Sequence, residues 1–208
     1  TNEVAQGWGA FGHQTVNYWL HNEWMTLDGQ KISKSLGNSV LVTDLEARGY
    51  DPKALRYLIL TSHYRTGLDF KWESLEASQK ALVRLRNMIS GWEMGRITEN
   101  SADFRKVFTV ALENDLNMAG ALAVVWDVTK SALDNGEKKA LIAEFDQVLG
   151  LDLLVTAMIP DRINELVERR NVATKERNFA EADRLRKEIE DGGYRVEDTA
   201  GATRVVKG

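Results

Sequence analysis

Between Trp72 and Trp92 the apolar residues Leu75, Leu82, Leu85, Met88 and Ile89 recur at helical spacing, so this stretch buries one face only as a long amphipathic helix. The same period returns near 102–113, 118–134 and 137–149, with short polar turns at Glu99-Asn100-Ser101 and Asn135-Gly136. Residues 43–158 are therefore expected to form one all-helical unit, with Leu112, Leu122, Val125, Trp126, Leu141, Phe145 and Leu149 in its core. Thr43-Asp44 ahead of Leu45-Glu46-Ala47-Arg48-Gly49 predicts a short capped helix ending at glycine. At Asp51-Pro52 another begins, because the aspartate can accept from the first free amides while the proline sits where its missing N–H is no loss. Leu55, Leu58 and Ile59 are its expected buried face.

The two ends read differently. Thr1 to Phe11 looks like a helix entered partway, and Val16 to Thr26, rich in aromatic and β-branched residues, reads as a strand or hairpin arm before a tight turn at Asp28-Gly29. From Gly150 to Ile159 the helical charge alternation is lost, and Pro160 closes the stretch. Asp161 onward is expected to be a separate small module: helices near 161–177 and 180–191, then a two-stranded finish from Tyr194-Arg195-Val196 to Thr203-Arg204-Val205-Val206.

Composition narrows the function classes. No stretch approaches the ~20 apolar residues needed to span a bilayer, and no basic-then-apolar leader opens the chain, so a cytoplasmic protein is expected. Zero cysteines exclude disulfides and remove every thiolate ligand from any metal site. A formal charge of −4 does not advertise nucleic-acid binding. Its distribution softens that objection, since residues 160–208 hold eleven Lys/Arg and eleven Asp/Glu and the whole deficit lies upstream. Such a locally neutral, charge-dense tail can touch one RNA loop by local pairing rather than by a broad field.

The chemistry sits in Lys31-Ile32-Ser33-Lys34-Ser35-Leu36-Gly37-Asn38. Two lysines three apart, interleaved with hydroxyls and followed by Gly-Asn, make a cationic loop that can close on a polyphosphate. When a carboxylate attacks the α-phosphate of ATP, negative charge builds on the departing pyrophosphate, and ammonium groups with hydroxyl and backbone donors stabilise it as it forms.

The flanks add a resemblance. Tyr18-Trp19-Leu20-His21-Asn22 before the loop, Asp28-Gly29, and Tyr50-Asp51-Pro52-Lys53-Ala54-Leu55-Arg56-Tyr57 after it resemble the Lys-Met-Ser-Lys-Ser half of a class I aminoacyl-tRNA synthetase, with Ile32 in place of the usual methionine. Ser62-His63-Tyr64-Arg65, Asn114-Asp115-Leu116-Asn117 and Ala121-Leu122-Ala123-Val124 narrow it to the cysteinyl-tRNA synthetases, and the resemblance runs the full length, ending in Val196-Glu197-Asp198-Thr199 and Thr203-Arg204.

This resemblance implies a mainly α chain: residues 1–42 as the remnant of a Rossmann-like catalytic domain, 43–158 as a stem-contacting helical bundle, and 159–208 as a small α+β anticodon module. It implies Lys31 and Lys34 as catalytic residues and Ser33, Lys34, Ser35, His21 and Asn22 as nucleotide-binding ones. Asn2-Glu3-Val4-Ala5-Gln6 looks like the second half of the family's His-x-x-x-Glu pair, which makes Glu3 one ligand of a substrate-binding zinc whose other ligands are absent here. Zinc is therefore expected in the complete enzyme and not on this chain alone. In relatives this module reads the anticodon, and Asp183 and Asp198 fall where acidic residues could accept hydrogen bonds from base amino groups, whereas Thr174 stands where relatives often carry a basic residue. Arg65 is a candidate RNA-backbone contact beside a junction.

The implied substrates are cysteine, ATP and tRNA(Cys), and a monomer is expected. Nothing in the chain matches His-Ile-Gly-His, since His13, His21 and His63 are isolated; an amino-terminal half, truncated or separately encoded, is expected to supply it. Charged hydrogen bonds to pyrophosphate contribute roughly 1.5–3 kcal/mol each, against the about 8 kcal/mol or more that enzymatic acceleration asks for. One loop cannot supply that, so the chain is expected to be inactive alone. Two other readings are a non-catalytic tRNA-binding module and a ligase joining cysteine to an amino-sugar; residues 160–208 argue against the latter, which has no use for an anticodon reader.

Overall fold

The computed structural model describes residues 2–33, 37–155, 161–199 and 202–207, and most of them are helical. Helix α1 (Asn2–Phe11) opens the chain. The following residues 13–24 have no regular structure, and only Met25–Leu27 forms a strand, β1. Strand propensity over Val16–Thr26 therefore overstates the element: a strand exists only where a partner supplies the ladder, and β1 is where partners arrive. It pairs antiparallel with β2 (Gln30–Lys31) and parallel with β3 (Leu68–Phe70), giving a sheet of order β2-β1-β3.

Helix α2 (Val42–Ala47) starts one residue before the expected Thr43. Asp44, at its third position, reaches back to accept from the Leu41 amide at 2.7 Å. Helix α3 (Pro52–Leu60) starts as read, with Asp51 accepting from the Lys53 amide at 2.8 Å and proline first in the helix. Its buried residues are Ala54, Tyr57, Leu58 and Leu60, while Leu55 is half-buried and Ile59 is 48% exposed. The expected inclusion of Ile59 fails because α3 turns its 54/57/58 stripe inward, and Ile59 faces the cleft described below.

Three apolar clusters follow. The first joins Leu45, Ala54, Leu58, Phe70 and Leu75 with Leu27 and Val40 packed against them, so the β1–β2 segment rests on α2, α3 and the start of α4 (Trp72–Ser90). The second is the bundle of α4, α5 (Ala102–Glu113), α6 (Met118–Lys130) and α7 (Asn135–Leu149), with Leu82, Leu85, Ile89, Val125, Leu141 and Phe145 at its centre and Phe108 stacked on Phe145 at 3.9 Å between ring centroids. The boundary between α6 and α7 departs from the reading. Ser131 ends α6, and Asp134 caps α7 by accepting from the Gly136 amide at 2.8 Å, so Asn135-Gly136 becomes the first turn of a helix rather than a connection.

Gly150, left-handed at φ 62°, ends α7, and Leu151 and Leu153 then turn back into the bundle core. Arg86 ties this return down, donating to the carbonyls of Leu151 (2.7 Å) and Asp152 (3.0 Å) and to the Asp51 carboxylate (2.6 Å). The third cluster lies in α8 (Asp161–Lys175), α9 (Phe179–Asp191) and the hairpin β4 (Tyr194–Thr199) to β5 (Ala202–Lys207), around Ile163, Leu166, Val167, Leu185, Ile189 and Val196. Among the described residues no helix is long and apolar enough to cross a membrane.

Candidate active-site loop

Asp28 (φ 50°) and Gly29 (φ 74°) are both left-handed, the geometry a two-residue hairpin needs and Asp-Gly supplies. The hairpin pairs Thr26 with Lys31, which places Lys31 at the mouth of the loop. Its side chain is exposed, and its ammonium lies 5.9 Å from the centre of the Trp24 ring, itself 78% exposed. At that separation and exposure the cation–π contact is weak, and an anion can draw the ammonium away from the ring.

Asn38 closes the loop from its far end. Its amide donates to the Lys31 carbonyl (3.0 Å) and its side-chain oxygen accepts from the Ser33 amide (2.9 Å), so the first three loop residues are held by one side chain. Gly37, at φ 63°, makes the bend that brings Asn38 back. Lys34 and Ser35 lie outside the described residues.

The turn is held from a third direction. Asp69, on β3, accepts at one carboxylate oxygen from the Gly29 amide (2.7 Å) and the Thr26 hydroxyl (2.8 Å), and Lys71 pairs with the other at 3.5 Å. The Gly29 amide, then the Thr26 hydroxyl and the Lys71 ammonium, hold its carboxyl below the usual carboxylate range.

The other candidates scatter. His21 is exposed and stacks on Trp19, ring centroids 6.4 Å apart. Asn22 donates to the Glu23 carbonyl at 3.0 Å and lines an open, mainly apolar cleft of about 330 Å³ with Leu20, Trp24, Ile59, Tyr64 and Met118. His21 does not line it. Glu3 sits on the exposed side of α1, and among the described residues no three His, Cys, Asp or Glu side chains gather as a metal site. One carboxylate is too small a donor set to hold zinc.

Arg65 belongs to a junction. The turn before α6 carries Asp115 (φ 52°) and Leu116 (φ 54°), both left-handed without being glycine. Asp115 accepts from the Tyr64 hydroxyl (2.6 Å) and pairs with Arg65 (3.0 Å), and its carbonyl meets the His63 ring at 2.8 Å. The Tyr64 hydroxyl, reinforced by the charges of Arg65 and His63, holds the Asp115 carboxyl below its ordinary value. The Tyr64 carbonyl in turn accepts from the Glu23 amide at 2.8 Å, so the segment entering β1 is tied to the bundle here.

In the C-terminal module Asp183 is exposed on α9, between the members of the Glu181–Arg184 pair, which meets at 2.7 Å. Asp198 stands opposite Thr203 in the β4–β5 register, and its side chain lies outside the described residues. Thr174 bonds back to the Arg170 carbonyl at 2.9 Å, consistent with a residue serving its own helix.

Sequence reasoning missed Asp69 and Trp24 as neighbours of the loop and gave Asn38 no role. Asn38 stood within the loop motif and could have been singled out as a short polar side chain beside a glycine. Nothing in the sequence signals Asp69, because a parallel pairing across 43 residues has no local signature.

Comparison with known proteins agrees along the chain. Residues 1–80 match the family described as the tRNA synthetases class I (C) catalytic domain, and residues 156–205 match the cysteinyl-tRNA ligase anticodon binding domain. The chain is 44% identical over 211 aligned residues to Cysteine–tRNA ligase 1 of Burkholderia lata, covering 99% of the chain and 44% of that relative. It is 37% identical to the cysteine–tRNA ligase of Chlamydia felis (99% and 48% covered) and 36% identical to that of Bacillus velezensis (100% and 49%). The chain spans about half the length of the curated relatives it matches.

Proposed function

Because the chain belongs by homology to the cysteine–tRNA ligase family, we propose that it is the pyrophosphate-closing and tRNA-binding portion of an enzyme that activates cysteine with ATP and transfers it to tRNA(Cys). In the first step the cysteine carboxylate attacks the α-phosphate and pyrophosphate departs. Lys31 and Lys34 neutralise the charge that accumulates on it, with the Ser33 and Ser35 hydroxyls as further donors and His21 and Asn22 near the nucleotide. In the second step the cysteinyl group passes to the terminal adenosine of the tRNA. Residues 43–158 contact the stem, and Asp183, Asp198 and Arg65 contribute to RNA recognition in a cytoplasmic monomer.

The observation that carries this reading is the placement of Lys31. It stands exposed at the mouth of a loop secured by a left-handed turn and by Asn38, with its ammonium 5.9 Å from the centre of the exposed Trp24 ring. Such an ammonium can meet charge as it develops with little reorganisation.

Charge-assisted contacts at about 1.5–3 kcal/mol each do not reach the about 8 kcal/mol of a modest enzyme, so these 208 residues alone do not form cysteinyl adenylate. ATP–pyrophosphate exchange by the purified chain tests this, and cysteine-dependent turnover overturns it. A second reading, a tRNA-binding module without chemistry, is favoured by the anticodon-domain match at residues 156–205. The two part when the chain is mixed with a separately produced catalytic half: restored exchange supports the ligase portion, and anticodon-dependent RNA binding without it supports the module.

A further inference from the structure

Strands of three and two residues joined by a two-residue turn do not hold their shape alone in water. Something outside the hairpin must therefore decide where Lys31 sits. The outer strand β3 contributes its backbone ladder, with Thr26 opposite Asp69, and one of its side chains crosses to the turn itself. The Asp69 oxygen that accepts from both the Gly29 amide and the Thr26 hydroxyl grips the hairpin at its bend and at the residue paired with Lys31. Both bonds are charge-assisted and short, and Lys71 balances the second oxygen. Asp69 is itself fixed, because the next residue, Phe70, is buried in the first apolar cluster and Leu75 on α4 is buried beside it.

We infer that Asp69 is a positioning residue for the phosphate-closing loop, setting the height and direction of Lys31 through Gly29 and Thr26 without touching phosphate itself. The inference rests on the reading of the loop given under Proposed function. It assigns part of the loop's function to a residue outside the lysine motif, on the strand that leads into the bundle. The same geometry states what the position requires: one oxygen able to accept two hydrogen bonds. Asparagine retains such an oxygen and alanine does not.

The test uses the 208-residue chain and inorganic pyrophosphate as the probe, followed by amide chemical shifts of residues 26–33 and 37–38. Lys31→Ala combined with Lys34→Ala is the control. The expected result is that wild type titrates, the double lysine variant does not, Asp69→Ala binds pyrophosphate at least threefold more weakly, and Asp69→Asn stays within twofold of wild type. Hydrogen exchange at Gly29 accelerates in Asp69→Ala while the amides of α5 to α7 keep their protection. Thr26→Val, which removes one of the two bonds and leaves Asp69 in place, falls between wild type and Asp69→Ala and serves if the alanine variant does not fold. If the wild type fails to titrate, or the lysine variant titrates like it, the reading of the loop is wrong and the role of Asp69 falls with it. If pyrophosphate binding depends on the lysines but neither Asp69→Ala nor Thr26→Val alters it, the loop stands and the positioning role is overturned.

Discussion

Asp115 gathers a tyrosine hydroxyl, a guanidinium and, through its carbonyl, a histidine ring at one strained turn, and its carboxyl is held below its ordinary value by the first of these before the charges. A group depressed on folding stabilises the fold above its unfolded pKa, and the stabilisation is lost as pH falls through the folded value. Protection of the amides at residues 114–117, taken relative to their intrinsic exchange rates at each pH, should therefore fall as pH drops through and below about 4, the ordinary aspartate range, and Asp115→Asn should flatten that dependence. An unchanged acid profile in the asparagine variant would remove Asp115 as its origin. Lys31→Ala, in a ligase completed with its catalytic half, should slow pyrophosphate exchange by about ten- to a hundredfold, the equivalent of one charged hydrogen bond. Lys31 and Ser33 could be singled out as candidates from the sequence because phosphate chemistry calls for those residue types close together. Asp69 was not, since its importance arises from a neighbour 43 positions away and no residue beside it carries a hint.

Helices were the readable elements, because burial on one side of a 3.6-residue repeat writes itself into the order of apolar residues. The run Leu75, Leu82, Leu85 and Ile89 is fully buried on α4, with Met88 half-buried. Strands were less readable. Residues 16–24 have the aromatic and β-branched content of a strand but no ladder partner, whereas Met25–Leu27 gained two. The join of α6 and α7 was misplaced for a capping reason: Asp134 claims the amide that an Asn-Gly turn would have left free. That join packs closely, since the Gly95 amide donates to the Gly136 carbonyl at 3.0 Å and a Cβ on Gly95 would sit 2.6 Å from the Gly136 carbonyl carbon. Gly95→Ala should destabilise the chain by about 1–3 kcal/mol, the usual range for forced overpacking, measured by urea denaturation. At the bundle centre, Phe145→Ala strips the partner from Phe108 and should remove about 3–5 kcal/mol; a change below 1 kcal/mol, roughly that of a surface site, would place Phe145 outside the core.

At the scale of the molecule, the third apolar cluster shares no residue with the other two among the described residues. Leu185→Ala should accordingly weaken residues 163–196 by about 2–5 kcal/mol and leave the protection of α4 to α7 unchanged, a pattern that amide exchange resolved by position reads directly. Uniform loss of protection would show that the anticodon-type module and the bundle unfold as one. The division into helical bundle and terminal α+β unit could be read from where periodicity broke, but the burial of Leu151 and Leu153 in the bundle could not, because two leucines in a non-helical run carry no period. The parallel pairing of β1 with β3 has a consequence for biosynthesis. A ribosome delivers Thr26 and Lys31 first, and at ~5–20 residues per second the 43 positions to Asp69 take about two to nine seconds more. Throughout that interval Trp24 and Met25 emerge beside a strand that does not yet exist, so the nascent polypeptide carries Lys31 on a hairpin that has not yet taken its shape.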